Sequence, residues 1–368
     1  MSMPFVFFTI LMSIVVLFAQ VYVVYVVSEV YNKRDEIIKS VLYLTLIKYI
    51  GIYLILYTFF WLFSTFFYKV IYLIGFTYIG YLLNVLIFCC LYKLISKFKQ
   101  MPPFYSKILI FIIPLIITIY SLVNAQITEF QEETIVFPGY NNSIKIMHFS
   151  DVHLGVIYQK GTVEDMVEII NEHNPDVVVI TGDFVDGSKT VDPEWIKPLD
   201  NVKDNIPILY VTGNHESLYG KDDILTEIYK VKKINHIGDN GKVINIKGVS
   251  FIGLDYEYKD PKTKAKTIID KYGIDINNTP VVFLYHIPKV SLKDLNEIGI
   301  FLMLAGHTHK GQIFPMNIFS WIGNKYFGGL YSNNNKNYVY VSCGFGTALV
   351  PMRMFSSKLV AIINIIGN

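Results

Sequence analysis

Five short stretches of this 368-residue sequence carry side chains suited to holding metal ions: Asp151-Val-His153, Thr181-Gly-Asp-Phe-Val-Asp-Gly187, Gly213-Asn-His-Glu216, His286 behind Val281-Val-Phe-Leu-Tyr285, and Gly306-His-Thr-His309. Each closes an apolar run, and five of the eight histidines fall inside them. The pairs Asp151/His153 and His307/His309 have a spacing of two, which in extended backbone sends both side chains to one side. One such pair is a weak signal; five stretches at the ends of five apolar runs make coincidence a poor account. The donors are imidazole, carboxylate and one amide (Asn214), with no thiolate, which suits Mn, Fe or Zn and disfavours Mg or Ca. Two cations about 3.5–4 Å apart could clamp both oxygens of an in-line phosphoryl displacement, and such a pair needs a bridging carboxylate. Asp183, delivered by Val177-Val-Val-Ile180 to a glycine-flanked turn, is read as that shared ligand.

The elements that must position these groups alternate between strand and helix. Strands are expected at 144–149, 177–180, 208–211, 281–285 and 301–304, with a hairpin of 243–246 and 249–254 around Lys247-Gly248 and further strands at 338–342 and 359–365. Helices are expected over 163–172, 223–231, 264–272 and 292–298. Alternation early and strand-rich sequence late predict an α/β sandwich of two mixed sheets flanked by helices, an αββα arrangement, over residues 144–368. Residues 126–143 are read as a connector in which 135–137 starts an edge strand.

The first 125 residues have another character. The chain is 52% hydrophobic, and most of the excess lies there. Residues 1–28 hold no charged side chain, and 49–92 hold one, Lys69. As a single helix 49–92 would run about 66 Å, twice the hydrocarbon thickness, so two spans turning near Lys69 are expected. With Ile108–Ala125, kinked at Pro114, the prediction is a bundle of four transmembrane helices. Asn84 is the main polar residue of the third span and reads as interhelical glue rather than part of a transport path. Lys33, Arg34, Lys39 and Lys48 mark the first loop, and Lys93, Lys97, Lys99 and Lys107 the third; only Lys69 lies opposite. That asymmetry predicts a multi-pass plasma-membrane protein whose large domain is extracytoplasmic. Nine basic residues against three acids give residues 1–125 a charge of +6, and the whole chain is +2, so the remainder carries −4. A soluble half this acidic lacks the basic stripe of a nucleic-acid binder. Three cysteines provide no disulfide framework.

Together the five stretches resemble the calcineurin-like metallophosphoesterase superfamily across roughly residues 144–365. The apolar amino-terminal half and Gly311-Gln-Ile-Phe-Pro315 are similar to its membrane-associated phosphodiesterase branch, which includes transmembrane proteins with a metallophosphoesterase domain. The resemblance implies Asp151, His153, Asp183 and His309 around one metal ion, and Asp183, Asn214, His286 and His307 around the other. It implies that His215 protonates the leaving oxygen or steadies the phosphoryl charge, with Asp186 at the position whose carboxylate orients it. Phosphoprotein phosphatases of the superfamily carry arginines where this chain has Gly187 and Thr212, which argues against phosphoprotein substrates. Arg353 resembles a tail position of the phosphodiesterase branch; a fold-stabilising ion pair is the plainer reading. Glu216 reads as a structural hydrogen-bonding group, His173 as a helix-end residue, His236 as a loop residue, and Gly213 and Gly306 as close-approach glycines. Asp255, Glu257 and Lys310 are near enough to support the ligands.

The resulting expectation is a membrane-anchored, dinuclear metal-dependent hydrolase in which metal-bound hydroxide attacks a phosphodiester or pyrophosphate. Proximity makes a lipid-linked or envelope-associated phosphate ester the expected substrate, and the lipid bilayer the expected partner. The alternatives are a phosphomonoesterase and a non-catalytic metal-binding membrane sensor.

Overall fold

The computed structural model describes residues 3–30, 65–187, 192–219, 221–239, 241–334 and 336–368. It divides into two units, residues 1–123 with 349–352, and residues 124–348 with 353–368.

The first unit contains α1 (Met3–Val30), α2 (Thr65–Ser96) and most of α3 (Pro103–Asn124). Among the described residues two helices are long and apolar enough to cross a membrane, Lys69–Ser96 and Pro103–Asn124, while Val15–Val30 forms a shorter apolar helix. The expected four-helix bundle is therefore not established: the second expected span and the first basic loop lie outside the described residues. Lys69, expected at a turn, stands inside α2, where no proline interrupts Thr65–Ser96. Pro114 acts upstream of itself. Its missing N–H and its ring disfavour an ordinary turn onto Ile110, and Ile108–Ile112 adopts π-helical geometry, with the N–H of Ile113 reaching the carbonyl of Ile108. Asn84 Nδ2 donates to Thr118 Oγ1 at 3.0 Å, buried between α2 and α3, as expected of interhelical glue. Glu29 is paired with Lys93. Leu115, Ile116, Ile119 and Tyr120 of α3 are exposed.

The second unit holds two six-stranded sheets. The strands are β1 (Thr128–Val136), β2 (Ser143–Phe149), β3 (Val177–Thr181), β4 (Ile208–Val211), β5 (Ile234–His236), β6 (Val243–Ile246), β7 (Val249–Gly253), β8 (Val281–Leu284), β9 (Leu302–Ala305), β10 (Gly329–Ser332), β11 (Tyr338–Val341) and β12 (Lys358–Ile366). One sheet runs β1-β12-β2-β3-β4-β5 and the other β10-β11-β9-β8-β7-β6. In the first, β2 to β5 are parallel and β12 is antiparallel to β2; in the second, β7, β8, β9 and β11 are parallel and the outer strands antiparallel. Both sheets are mixed, as expected. Residues 128–136, expected within the connector, form β1, which pairs with β12 from Thr128↔Lys358 to Val136↔Ile366.

The helices are α4 (Lys160–His173), α5 (Asn214–Tyr219), α6 (Lys221–Ile228), α7 (Pro261–Tyr272), α8 (Leu292–Ile298) and α9 (Met316–Gly323). The central strands are buried on both faces, which is why their sequences are unbroken apolar runs rather than alternating ones. Val177 and Val179 join the core between the sheets, with Leu209, Phe251 and Leu284, while Val178 and Ile180 join Val163, Met166 and Ile170 of α4 on the outer face. A third cluster packs Ile252, Phe283 and Met303 against Ala265, Ile268 and Leu295 of α7 and α8. The order is helix, sheet, sheet, helix.

Candidate metal centre

All five ligand stretches sit just past the carboxyl ends of parallel strands: Asp151 and His153 after β2, Asp183 after β3, Asn214 and His215 after β4, His286 after β8, and His307 and His309 after β9. Parallel strands point their ends the same way, so three loops from one sheet and two from the other meet at one rim, where α/β sheets place ligands.

The convergence is tight. His153 Nε2 and His309 Nε2 are 3.0 Å apart, and His309 Nε2 is 3.3 Å from Asp151 Oδ1. Asp183 Oδ2 lies 3.1 Å from His286 Nε2, and Asn214 Oδ1 lies 3.1 Å from His286 Nε2 and 2.9 Å from His307 Nδ1. His215 Nε2 stands farther off, 3.9 Å from Asp183 Oδ2. Two donors at right angles on a cation, each about 2.1 Å from it, are about 3.0 Å apart; the separations match the edges of a coordination shell. Asp151, His153 and His309 form one compact donor group, and Asp183, His286 and His307 another. His153 Nδ1 and His309 Nδ1 are buried without a protein partner. The donor chemistry and spacing thus fit two metal ions.

Backbone geometry at these loops departs from the extended conformation expected for the Asp-x-His and His-x-His pairs. Asp151 (φ 52°), His153 (φ 53°), Asp183 (φ 49°), His307 (φ 72°) and His309 (φ 49°) are all left-handed. The spacing of two works because each member of a pair is kinked, not because a strand alternates. L residues adopt this region at a cost, and five such residues in one centre are strain that the surrounding sheet ends maintain.

The clasp that maintains it is Glu216. Its Oε1 accepts from the N–H groups of Phe184 (2.6 Å) and Val185 (3.3 Å), and its Oε2 from those of Asp183 (3.1 Å) and Gly213 (2.6 Å). This fully buried carboxylate therefore ties the Asp183 turn to the Asn214 turn, in agreement with its reading as a structural group. Gly213 is required beside it, since a Cβ there would stand 2.3 Å from Asp183 Oδ1; at Gly306 a Cβ would stand 2.2 Å from Asp151 Oδ2.

Electrostatics favour the ligand states a cation needs at His153, His307, His309 and Asp183, and oppose them at Asp151 and His286. Burial pushes His153 down to about 3 and His307 to about 4, and holds His309 well below its ordinary value, so all three are neutral imidazoles. Burial would raise Asp183, but the facing His286, His215 and His153 override it and hold its carboxyl well below the carboxylate range. Burial pushes Asp151 up to about 6. Burial would lower His286, yet contact with Asp183 raises it. Its Nδ1 faces the carbonyl of Thr181 at 2.8 Å, which fixes a proton there and turns Nε2 to the centre.

Two orienting roles differ from expectation. His215 Nδ1 is 2.8 Å from the backbone carbonyl of Asp186, while the Asp186 carboxylate accepts from the N–H of Val156 at 3.2 Å; the carbonyl, not the carboxylate, orients His215. The turn holding Val185 and Asp186 folds back on Leu154, which sends the carboxylate toward that neighbouring loop. Arg353 is fully buried, and its guanidinium donates to the carbonyls of Gly344 and Gly346 and to Ser356 Oγ. The N–H groups of Phe345 and Gly346 in turn bond the carbonyls of Ser150 and Asp151. Arg353 is thus a prop beneath the Asp151 loop, and its hydrogen bonds run to neutral acceptors rather than to the expected carboxylate.

His236, read from sequence as a loop residue, ends β5 and is buried, its Nε2 2.9 Å from Asp255 Oδ1. That same oxygen accepts from the N–H of Thr212, so the pair supports the Asn214 turn from below. Glu257 accepts from Ser217 Oγ, and His173 closes α4 and stacks on Phe130. His148 is buried on β2, with Nε2 2.7 Å from Thr181 Oγ1. These supports were hard to find in sequence because their residues are polar types at no fixed spacing from their partners.

The description of the calcineurin-like phosphoesterase family matches residues 144–311. An uncharacterized metallophosphoesterase of Helicobacter pylori is 30% identical over 241 residues, covering 65% of this chain and 64% of that protein. A transmembrane protein with metallophosphoesterase domain from Danio rerio is 28% identical over 272 residues, covering 69% and 61%. Its namesake from Bos taurus is 30% identical over 236 residues, covering 60% and 52%. The chain thus spans about half to two thirds of the length of these relatives. Residues 144–311, which hold the five convergent loops, are thus the part of the chain that is similar to the calcineurin-like phosphoesterases.

Proposed function

We propose that this protein is a membrane-anchored, dinuclear metal-dependent phosphoester hydrolase acting on a phosphodiester or pyrophosphate. The observation that carries the reading is the meeting of seven donor residues from five loops around Asp183, with donor separations of 2.9–3.3 Å. Asp151, His153, Asp183 and His309 would hold one ion, and Asp183, Asn214, His286 and His307 the other. When bound, such ions neutralise phosphoryl oxygens and lower the pKa of water toward neutrality. The chain's own groups supply the rest. Asn214, His215 and His307 are partly exposed, so substrate enters on their side. His215 holds a proton on Nδ1 toward the Asp186 carbonyl and presents Nε2 to the site, placed to give a proton to the leaving oxygen. Thr212 is buried, with its N–H engaged by Asp255, so the position where phosphoprotein phosphatases carry an arginine offers no cationic grip.

Two apolar helices and the outward-facing Leu115, Ile116, Ile119 and Tyr120 support membrane anchoring, since such a face is stable in lipid. The loop charges favour a multi-pass plasma-membrane protein with the large domain outside the cytoplasm. Purified protein should hydrolyse bis-p-nitrophenyl phosphate with added Mn²⁺, faster than p-nitrophenyl phosphate, and Asp183→Asn should cost at least ~100-fold. Full activity in Asp183→Asn would overturn the assignment.

A further inference from the structure

α9 is an amphipathic helix turned inside out. No residue of it is buried, yet its outward side carries Met316, Ile318, Phe319 (62% exposed), Trp321 (65%) and Ile322 (70%). Its polar residues point into the protein. Asn317 Nδ2 donates to the carbonyls of Lys310 (2.8 Å) and Met354 (3.2 Å), and Ser320 Oγ to that of Thr308 (3.3 Å). Just past the helix, Asn324 Nδ2 donates to the Ser320 carbonyl. Positions 317, 320 and 324 lie on one helical stripe, so the sequence specifies an inner polar face and an outer apolar one. Water would select the reverse. Residues 311–324 contain no charge and are flanked by Lys310 and Lys325. Phe355, 66% exposed, lies in the loop that Asn317 grips through Met354.

The same loop holds the point at which the chain leaves its last apolar helix. Asn124 follows Val123, and its Nδ2 donates to the carbonyls of Arg353 (3.1 Å) and Ser356 (3.0 Å). The N–H of Met354 in turn donates to the Gln312 carbonyl at 2.7 Å. Asn124 and α9 are therefore fastened to one four-residue loop. An uncharged run with an outward Trp and Phe, lysines at both ends, and a direct tether to the end of an apolar span matches the chemistry of the lipid headgroup boundary.

We propose that α9, with Phe355, is a docking surface for the bilayer itself, seating the metal-ligand loop on the membrane surface. The inference rests on the reading of the chain as membrane-anchored. Docking would bear on the site because α9 bonds Thr308 and Lys310, the residues on either side of His309.

The test uses the full chain with Trp61→Phe and Trp195→Phe, leaving Trp321 as the sole tryptophan, in phosphatidylcholine/phosphatidylglycerol vesicles. Lipids brominated near the headgroup end of the acyl chains should quench most of the Trp321 emission, while aqueous acrylamide should quench little. Adding Phe319→Ser and Ile322→Ser should restore acrylamide access, with the protein still resisting alkaline carbonate extraction. Emission open to acrylamide and untouched by bromolipid, in protein that resists carbonate, would overturn the docking proposal and leave anchoring intact. Emission shielded from both quenchers would put a second copy or another protein on this face and also overturn it. Release by carbonate would overturn the anchoring reading, and the docking proposal with it.

Discussion

Glu216→Gln separates two opposed forces at the centre. Burial, followed by the neighbouring Asp183 carboxylate, pushes the Glu216 carboxyl up to about 7, while the N–H groups of Gly213 and Phe184 favour its charged form. If burial dominates, Glu216 is substantially protonated near neutrality, and glutamine, its neutral isostere, is a mild change. If the four N–H donors dominate, each oxygen is needed as an acceptor. Glutamine keeps one oxygen and turns an NH₂ toward two backbone N–H groups, stranding either the Phe184/Val185 pair or the Asp183/Gly213 pair. Two buried donors left unmade at about 1–3 kcal/mol each give about 2–6 kcal/mol, a large part of a typical 5–15 kcal/mol stability. We expect the donors to win, because a carboxylate collecting several backbone N–H bonds is held ionised. Urea unfolding in EDTA should show the loss, and metal titration should show affinity weakened by about 10- to 100-fold. Unchanged unfolding together with unchanged metal binding would refute the argument.

His215→Asn should lower turnover of a poor leaving group by about 100- to 10,000-fold while both ions remain bound, as read by metal content; a matching loss of metal would make it a structural residue instead. EDTA should abolish hydrolysis and Mn²⁺ restore it, with the ion adding about 2.7 kcal/mol of stability when present at one hundred times its dissociation constant. His148 tests a proton linkage away from the ligands. Burial pushes its folded-state pKa down to about 3, below the unfolded value of about 6.5, so the unfolded chain alone takes up the proton between those limits and stability falls with pH. At pH 5.5 the contribution is about 1.4 kcal/mol, and His148→Gln should remove that much of the loss seen between pH 7.5 and 5.5 in metal-free protein.

Sequence alone carried the class of the fold and the candidate donors that the fold brings to one rim, because both are written in local terms. A strand buried on both faces must be apolar throughout, as Val177–Ile180 and Val281–Leu284 are, and a loop after such a strand that carries Asp, Asn or His announces its chemistry by residue type. Tertiary structure decided what depends on non-local neighbours. The left-handed kinks at Asp151 and His153 arise from loops pinned across the sheet, and the spacing of two gives no sign of them. Glu216 became the clasp, His236 the partner of Asp255, and Arg353 the prop under Asp151 only once segments 32, 19 and about 200 residues apart were folded together. All of β1 but its end at 135–136 escaped, because Thr128–Val136 is an exposed edge strand whose parallel partner lies at the far end of the chain. α9 escaped for the opposite reason: its polar residues face inward to carbonyls and its apolar ones outward, so its burial pattern could be read only with the rest of the protein in place.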